Sequence, residues 1–195
     1  MRKFVYSYPT KVYFGEGAAA DALAREMPRF GKTVLLAYGG GSVKKSGVYD
    51  ELKQLLLAAG KEIVDFSGIM PNPTYAKAQE GAKLVRDRGV DFILAVGGGS
   101  VVDCCKVISA QAVLDEDIWR MEYERGQFPT SGVPMGAVVT ASGTGAEIIP
   151  ARSSPTRKSS GRGRSSATAP PSPCSTPPTP RRFRPCRCSP APSTR

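Results

Sequence analysis

Phe92-Ile93-Leu94-Ala95-Val96-Gly97-Gly98-Gly99-Ser100-Val101-Val102-Asp103-Cys104-Cys105-Lys106 is the stretch on which the fold turns. An apolar segment of strand length ends in three glycines, and Val101, Cys105, Ile108 and Ala112 then recur at helical spacing. The run reads as strand, glycine turn and helix, with Ser100 at the helix N-cap. Consecutive glycines turn the chain through torsions closed to other residues and bring bare N–H groups close to a bound group. The helix N-terminus behind them favours an anion, so phosphate is the natural guest. The spelling lacks the Lys-Ser/Thr ending of a Walker A loop, and it is not the spaced Gly-x-Gly-x-x-Gly of the common dinucleotide fold. A plain tight turn closing a parallel sheet would use the same letters, so the rest of the chain has to decide.

Upstream, Thr33–Tyr38 is another apolar run, suited to a strand buried on both faces, and it delivers a second loop, Gly39-Gly40-Gly41-Ser42. Val48, Leu52, Leu55, Leu56 and Ala59 then form the stripe of a core-facing helix that Gly60 closes. Further strands are expected over Pro9–Gly15, Lys61–Phe66 and Val133–Val139. One helix is expected from Gly17, with Ala19, Leu23, Met27 and Phe30 on one face and Gly31 at its end. Another starts near Thr74, groups Tyr75, Ala78, Ala82 and Val85, and stops at Gly89. Pro71-Asn72-Pro73 fixes a turn between elements.

Downstream, the helix after the opening motif should end near Leu114. Asp115–Thr130 reads as an irregular loop over the sheet edge, with Trp119, Met121 and Tyr123 partly buried. The last strand feeds Thr140-Ala141-Ser142-Gly143-Thr144-Gly145-Ala146-Glu147, where hydroxyls and glycines alternate. Strands alternating with helices imply an α/β fold: a Rossmann-like parallel sheet with helices on both faces and ligands outside the carboxyl ends of the strands.

Composition divides the chain in two. All 17 acidic residues and 17 of the 27 basic ones lie before residue 150, so the net charge of +10 belongs to residues 150–195. The basic pI therefore says nothing about the folded part. No run approaches the roughly 20 apolar residues of a membrane span, and the N-terminus lacks a secretory pattern, so a cytoplasmic location is expected. Cys104 and Cys105 fall inside a helix, where packing is expected rather than a disulfide. Cys174, Cys186 and Cys188, with no histidine anywhere, fall short of a four-ligand zinc pattern.

Five motifs in order, Pro9–Gly15, Tyr38–Ser42, Pro71–Pro73, Gly97–Lys106 and Thr140–Glu147, resemble the iron-containing alcohol dehydrogenases, and within them the butanol dehydrogenases. The resemblance covers residues 1 to about 148. It implies interconversion of an alcohol and an aldehyde by hydride transfer to or from NAD(P), in homo-oligomeric full-length relatives. It also implies that Gly97, Gly98, Gly99 and Ser100 hold the cofactor pyrophosphate and that Asp103 faces the cofactor. Thr140, Ser142 and Thr144 would contact the nucleotide, with Pro71 and Asn72 at the edge of its cleft. Short hydroxyls suit that task because they bond phosphate or ribose without blocking it. Asp103 has an alternative reading as a first-turn carboxylate favoured by the helix dipole.

Members of that family carry a second, helical domain that supplies an aspartate and three histidines to a divalent metal. Here the sequence changes after Ile148 to a mixture of Arg, Ser, Pro and Ala with 11 prolines and Phe183 as its one aromatic. Residues 1–149 are therefore expected to be the dinucleotide-binding domain and 150–195 a disordered tail. The tail reads as a frameshifted GC-rich frame or as a basic arm for nucleic acid, the first being favoured. No catalytic residue and no metal ligand is assigned: neither Fe nor Zn is expected to bind, and the chain as written is expected to be inactive, leaving a dinucleotide-binding module. The loop Gly39, Gly40, Gly41 and Ser42, followed by Lys44 and Lys45, presents no carboxylate to repel a 2′-phosphate, so NADP(H) is expected over NAD(H).

Overall fold

The computed structural model describes residues 10–141, 143 and 145–148. In chain order the elements are α1 (Ala18–Glu26), β1 (Thr33–Tyr38), α2 (Ser42–Lys45), α3 (Val48–Ala58), β2 (Glu62–Phe66), α4 (Tyr75–Asp87), β3 (Phe92–Gly97), α5 (Gly99–Val113) and β4 (Met135–Val139). The four strands form one parallel sheet in the order β2-β1-β3-β4. Its two central strands are the two apolar runs, and Val34, Leu35, Leu36 and Ala37 have no exposed surface.

Side-chain alternation along these strands splits the interior into two cores. Leu35, Ala37, Ile93 and Ala95 pack with α4 and α5, through Ala78, Val85, Cys105 and Ile108. Val34, Leu36, Tyr38, Leu94 and Val96 pack with α1 and α3, through Leu23, Leu52 and Leu56. Helices thus cover both faces, as the hydrophobic pattern requires. The α4 and α5 helices meet closely at Gly81, where an added Cβ would stand 2.5 Å from Ile108 Cδ1.

The helix ends follow from local chemistry. Thr74 Oγ1 accepts the Lys77 N–H and caps α4. Gly60 (φ 70°) and Gly89 (φ 56°) end α3 and α4 in the left-handed conformation. In each case the next N–H returns to a carbonyl in the last turn, Lys61 to Leu56 and Val90 to Val85. Pro28 converts the end of α1 into a 3-10 turn over Met27–Arg29.

Three local expectations are corrected. Thr10–Phe14, the described part of the expected first strand before Gly15, pairs with no sheet edge. Lys11 Nζ and Tyr13 Oη donate to Glu26 of α1 at 2.9 and 2.7 Å, and Val12 and Phe14 stay exposed. The Asp115–Thr130 segment contains a π-helical turn, Arg120–Glu124, and is fastened to α4 and α5. Tyr75 Oη donates to Asp117, and Gln111 bonds the Glu116 carbonyl and the Ile118 N–H. Within it Ile118 is buried, whereas Tyr123 stacks on Trp119 and remains 58% exposed. The expected tail, with its cysteines and basic residues, lies outside the described residues, as do Ser142 and Thr144.

Candidate functional site

Because every strand is parallel, the loops after β1, β2, β3 and β4 leave the same edge of the sheet. Backbone hydrogen bonds stitch neighbouring loops together. Gly68 N–H donates to Gly39 O at 3.0 Å, and Thr140 N–H donates to Gly97 O at 3.0 Å. Gly39-Gly40-Gly41-Ser42, Gly68-Ile69 ahead of the Pro71–Pro73 turn, Gly97-Gly98-Gly99-Ser100 and Thr140-Ala141 therefore lie side by side along that edge, the candidate cleft.

In the β3–α5 loop each glycine has a separate reason. Gly97 adopts φ 155°, and an added Cβ would stand 2.7 Å from Val101 Cγ2. Gly98 is extended (φ −88°, ψ −172°), and a Cβ there would approach only Ala141 Cβ, at 3.9 Å. The N-cap is Gly98 rather than Ser100, which becomes the second residue of α5. Gly98 O receives the Val101 and Val102 N–H groups at 3.0 and 3.3 Å, so the helix starts without a side-chain cap. The preceding N–H groups of Gly99 and Ser100, at the first turn, point out of the helix end and are available to an anion.

Val101 braces both glycine loops. The same Cγ2 that abuts Gly97 would lie 3.6 Å from a Cβ on Gly39, whose other neighbour is the Ile69 carbonyl at 3.0 Å. Gly40 and Gly41 face open space. Pro71 and Asn72 are exposed, with Asn72 at φ 54°, and Ile69 just upstream is buried. Asp103 sits in the second turn of α5, where its carboxylate accepts from Lys106 Nζ at 3.0 Å.

Beside the β1 loop, Lys44, one of the two lysines noted in the sequence, belongs to a cluster whose other members sequence reasoning missed. Tyr38 and Tyr49 pack edge to face with centroids 5.2 Å apart, and Lys44 Nζ stands over both rings. Tyr49 Oη donates to Asp65, reaching its two oxygens at 2.9 and 3.0 Å. Burial, followed by the bond to Asp65, pushes the Tyr49 phenol up to about 12. Hydrogen bonding to Tyr38 holds the Lys44 ammonium above the usual lysine value.

A metal site does not emerge from these residues. The sequence contains no histidine, and among the described residues no three Cys, Asp or Glu side chains come together to hold an ion. Cys104 and Cys105 are buried, and desolvation pushes Cys104 up to about 12 and Cys105 well above its ordinary value, which keeps both as thiols.

Comparison with known proteins bears on this cleft. Residues 9–154 match the family model described as iron-containing alcohol dehydrogenase. The chain is 42% identical over 148 residues to the probable NADH-dependent butanol dehydrogenase 1 of Bacillus subtilis, which covers 76% of this chain and 38% of that protein. It is 44% identical over 149 residues to the NADPH-dependent aldehyde reductase YqhD of Escherichia coli, covering 75% and 38% respectively. Among solved structures, NADH-dependent butanol dehydrogenase A of Thermotoga maritima superposes with a TM-score of 0.69 at 38% identity, over 74% of this chain and 36% of that one. The chain thus spans about 38% of the length of the curated relatives it matches.

Proposed function

The chain belongs to the iron-containing alcohol dehydrogenase family, and from that membership we propose that residues 1–149 are its dinucleotide-binding domain and 150–195 a separate tail. The observation that carries the reading is the juxtaposition of a glycine loop that opens a helix with Thr140-Ala141 at the end of β4, bonded from Thr140 N–H to Gly97 O. Gly97, Gly98, Gly99 and Ser100 receive the pyrophosphate on backbone N–H groups, where Gly98 leaves room for it. Thr140, Ser142 and Thr144 bond the nucleotide through short hydroxyls, Asp103 stands near it, and Pro71 and Asn72 border it. The reaction served is hydride transfer between the nicotinamide and a small alcohol or aldehyde, in the cytoplasm. Gly39, Gly40, Gly41 and Ser42 admit a 2′-phosphate, so NADP(H) binds more tightly than NAD(H).

The family's divalent metal does not fit the donor groups of the described residues, which bring no three Cys, Asp or Glu side chains together. Taken alone, the 195 residues bind dinucleotide without turning over butyraldehyde. Fluorescence titration of the purified chain is expected to give saturable binding, tighter for NADPH than for NADH. No response to either cofactor overturns the site, and tighter NADH binding overturns the preference. NADPH consumption with butyraldehyde and Fe²⁺ or Zn²⁺ is expected to stay at background, and turnover by the chain alone would refute the reading of the metal.

A further inference from the structure

Lysine side chains on a surface normally move freely, and fixing one costs rotamer entropy. Lys44 is an exception. Its ammonium stands 5.2 Å from the Tyr38 ring centroid and 4.9 Å from that of Tyr49, close enough for both ring faces to attract it. Tyr49 cannot swing away, because it is buried and its hydroxyl is bound to Asp65. Asp65 in turn comes from β2 at the position paired with Leu36 of β1, so the sheet register fixes the cluster. Lys45, next in sequence, has no ring or carboxylate partner among the described residues.

We propose that Lys44, held by the rings of Tyr38 and Tyr49, is the cation that selects a 2′-phosphorylated dinucleotide, with Tyr49 and Asp65 as positioning residues. The proposal rests on the reading of Gly39–Ser42 as the ribose end of the cleft. Lys44 is the third residue of α2, directly after that loop, and Gly40 and Gly41 leave the approach open. The Asp65 charge is turned toward the Tyr49 hydroxyl. A dinucleotide phosphate arriving at the loop meets a cation whose position is already set, which adds to affinity for NADPH and not for NADH.

Parallel titrations of NADPH and NADH test it, read as the ratio of the two dissociation constants. Lys44→Ala is expected to reduce the preference for NADPH by about tenfold, the range of one charged hydrogen bond. Tyr49→Phe keeps the ring and loses the anchor, and it is expected to reduce the preference by about threefold while NADH binding holds. Lys53→Ala is the control, since Lys53 also approaches the Tyr49 ring, at 5.6 Å, from within α3. An unchanged ratio in Lys44→Ala, or an equal loss in Lys45→Ala, overturns the assignment of Lys44. An equal loss of NADH and NADPH affinity in Tyr49→Phe makes Tyr49 a merely structural residue and overturns its positioning role. A wild-type chain that binds neither dinucleotide overturns the site reading beneath the proposal, and one that binds both equally overturns the preference that Lys44 is proposed to create.

Discussion

The two Gly-Gly-Gly-Ser loops are spelled alike and built differently. After β3, Gly97 is pinched against Val101, and α5 begins at once and runs through the interior. After β1, Gly40 and Gly41 are open, and only the four residues of α2 precede a break at Gly47 (φ 78°). The residues that follow make the difference. Val101-Val102 can be buried against the sheet, whereas Lys44-Lys45 must stay near water, so the chain turns outward before α3 begins. Gly97 is a glycine for lack of space, whereas Gly40 and Gly41 are glycines where space is plentiful.

Substitution should expose that contrast most strongly in stability. Gly97→Ala combines a left-handed torsion with a clash against Val101, and it is expected to cost about 3 kcal/mol in urea unfolding. Gly40→Ala should stay within about 0.5 kcal/mol. Val101→Ala in the Gly97→Ala background should recover part of the loss, because it removes the methyl that clashes. Strict additivity of the two changes would show that Val101 is not the brace.

A smaller effect separates space from affinity within one loop. Gly98 has ordinary extended torsions, so Gly98→Val is expected to change stability by less than about 1 kcal/mol. Its side chain would fill the space next to Ala141, and titration should show dinucleotide binding weakened more than about tenfold. Unchanged binding would remove the β3 loop from the site.

The smallest effect belongs to the β1 side and appears only at high pH. The folded-state phenol of Tyr49 lies at about 12, above the ordinary 10.0, so the native chain retains its proton where the unfolded chain loses it. The stabilisation is therefore complete below pH 10 and declines as pH rises from 10 to 12. Unfolding followed across that window should fall less steeply in Tyr49→Phe than in the wild type. Identical slopes would show that Tyr49 keeps no special protonation in the fold.

Much of this was legible beforehand, for reasons that differ by element. β1 and β3 announce themselves because strands buried on both faces must be continuously apolar. The α3 and α4 stripes and their glycine stops are equally plain, since each cap is a local matter. Val12 and Phe14 alternate as a strand would, yet nothing local says whether a sheet edge is there to receive them. Three successive glycines hide the start of α5, because Gly98 accepts the first helical N–H groups with its carbonyl alone. The α2 turn is too short to show a period. At the candidate site, the position of the two glycine loops at strand ends could be read from their letters. The Lys44 cradle could not, because Tyr38, Tyr49 and Asp65 come together only through strand pairing.

The bond from Thr140 N–H to Gly97 O continues the β3–β4 ladder one rung past Val139. Sheet pairing thus reaches into the cleft, and part of its lining is ordered by the same cooperative network as the core. A ligand that bonded the chain at Thr140 would not have to order that residue, an ordering that costs roughly 1–2 kcal/mol per residue. Its affinity can follow the contacts it makes, and encounter can lead to capture without a slow rearrangement of that wall.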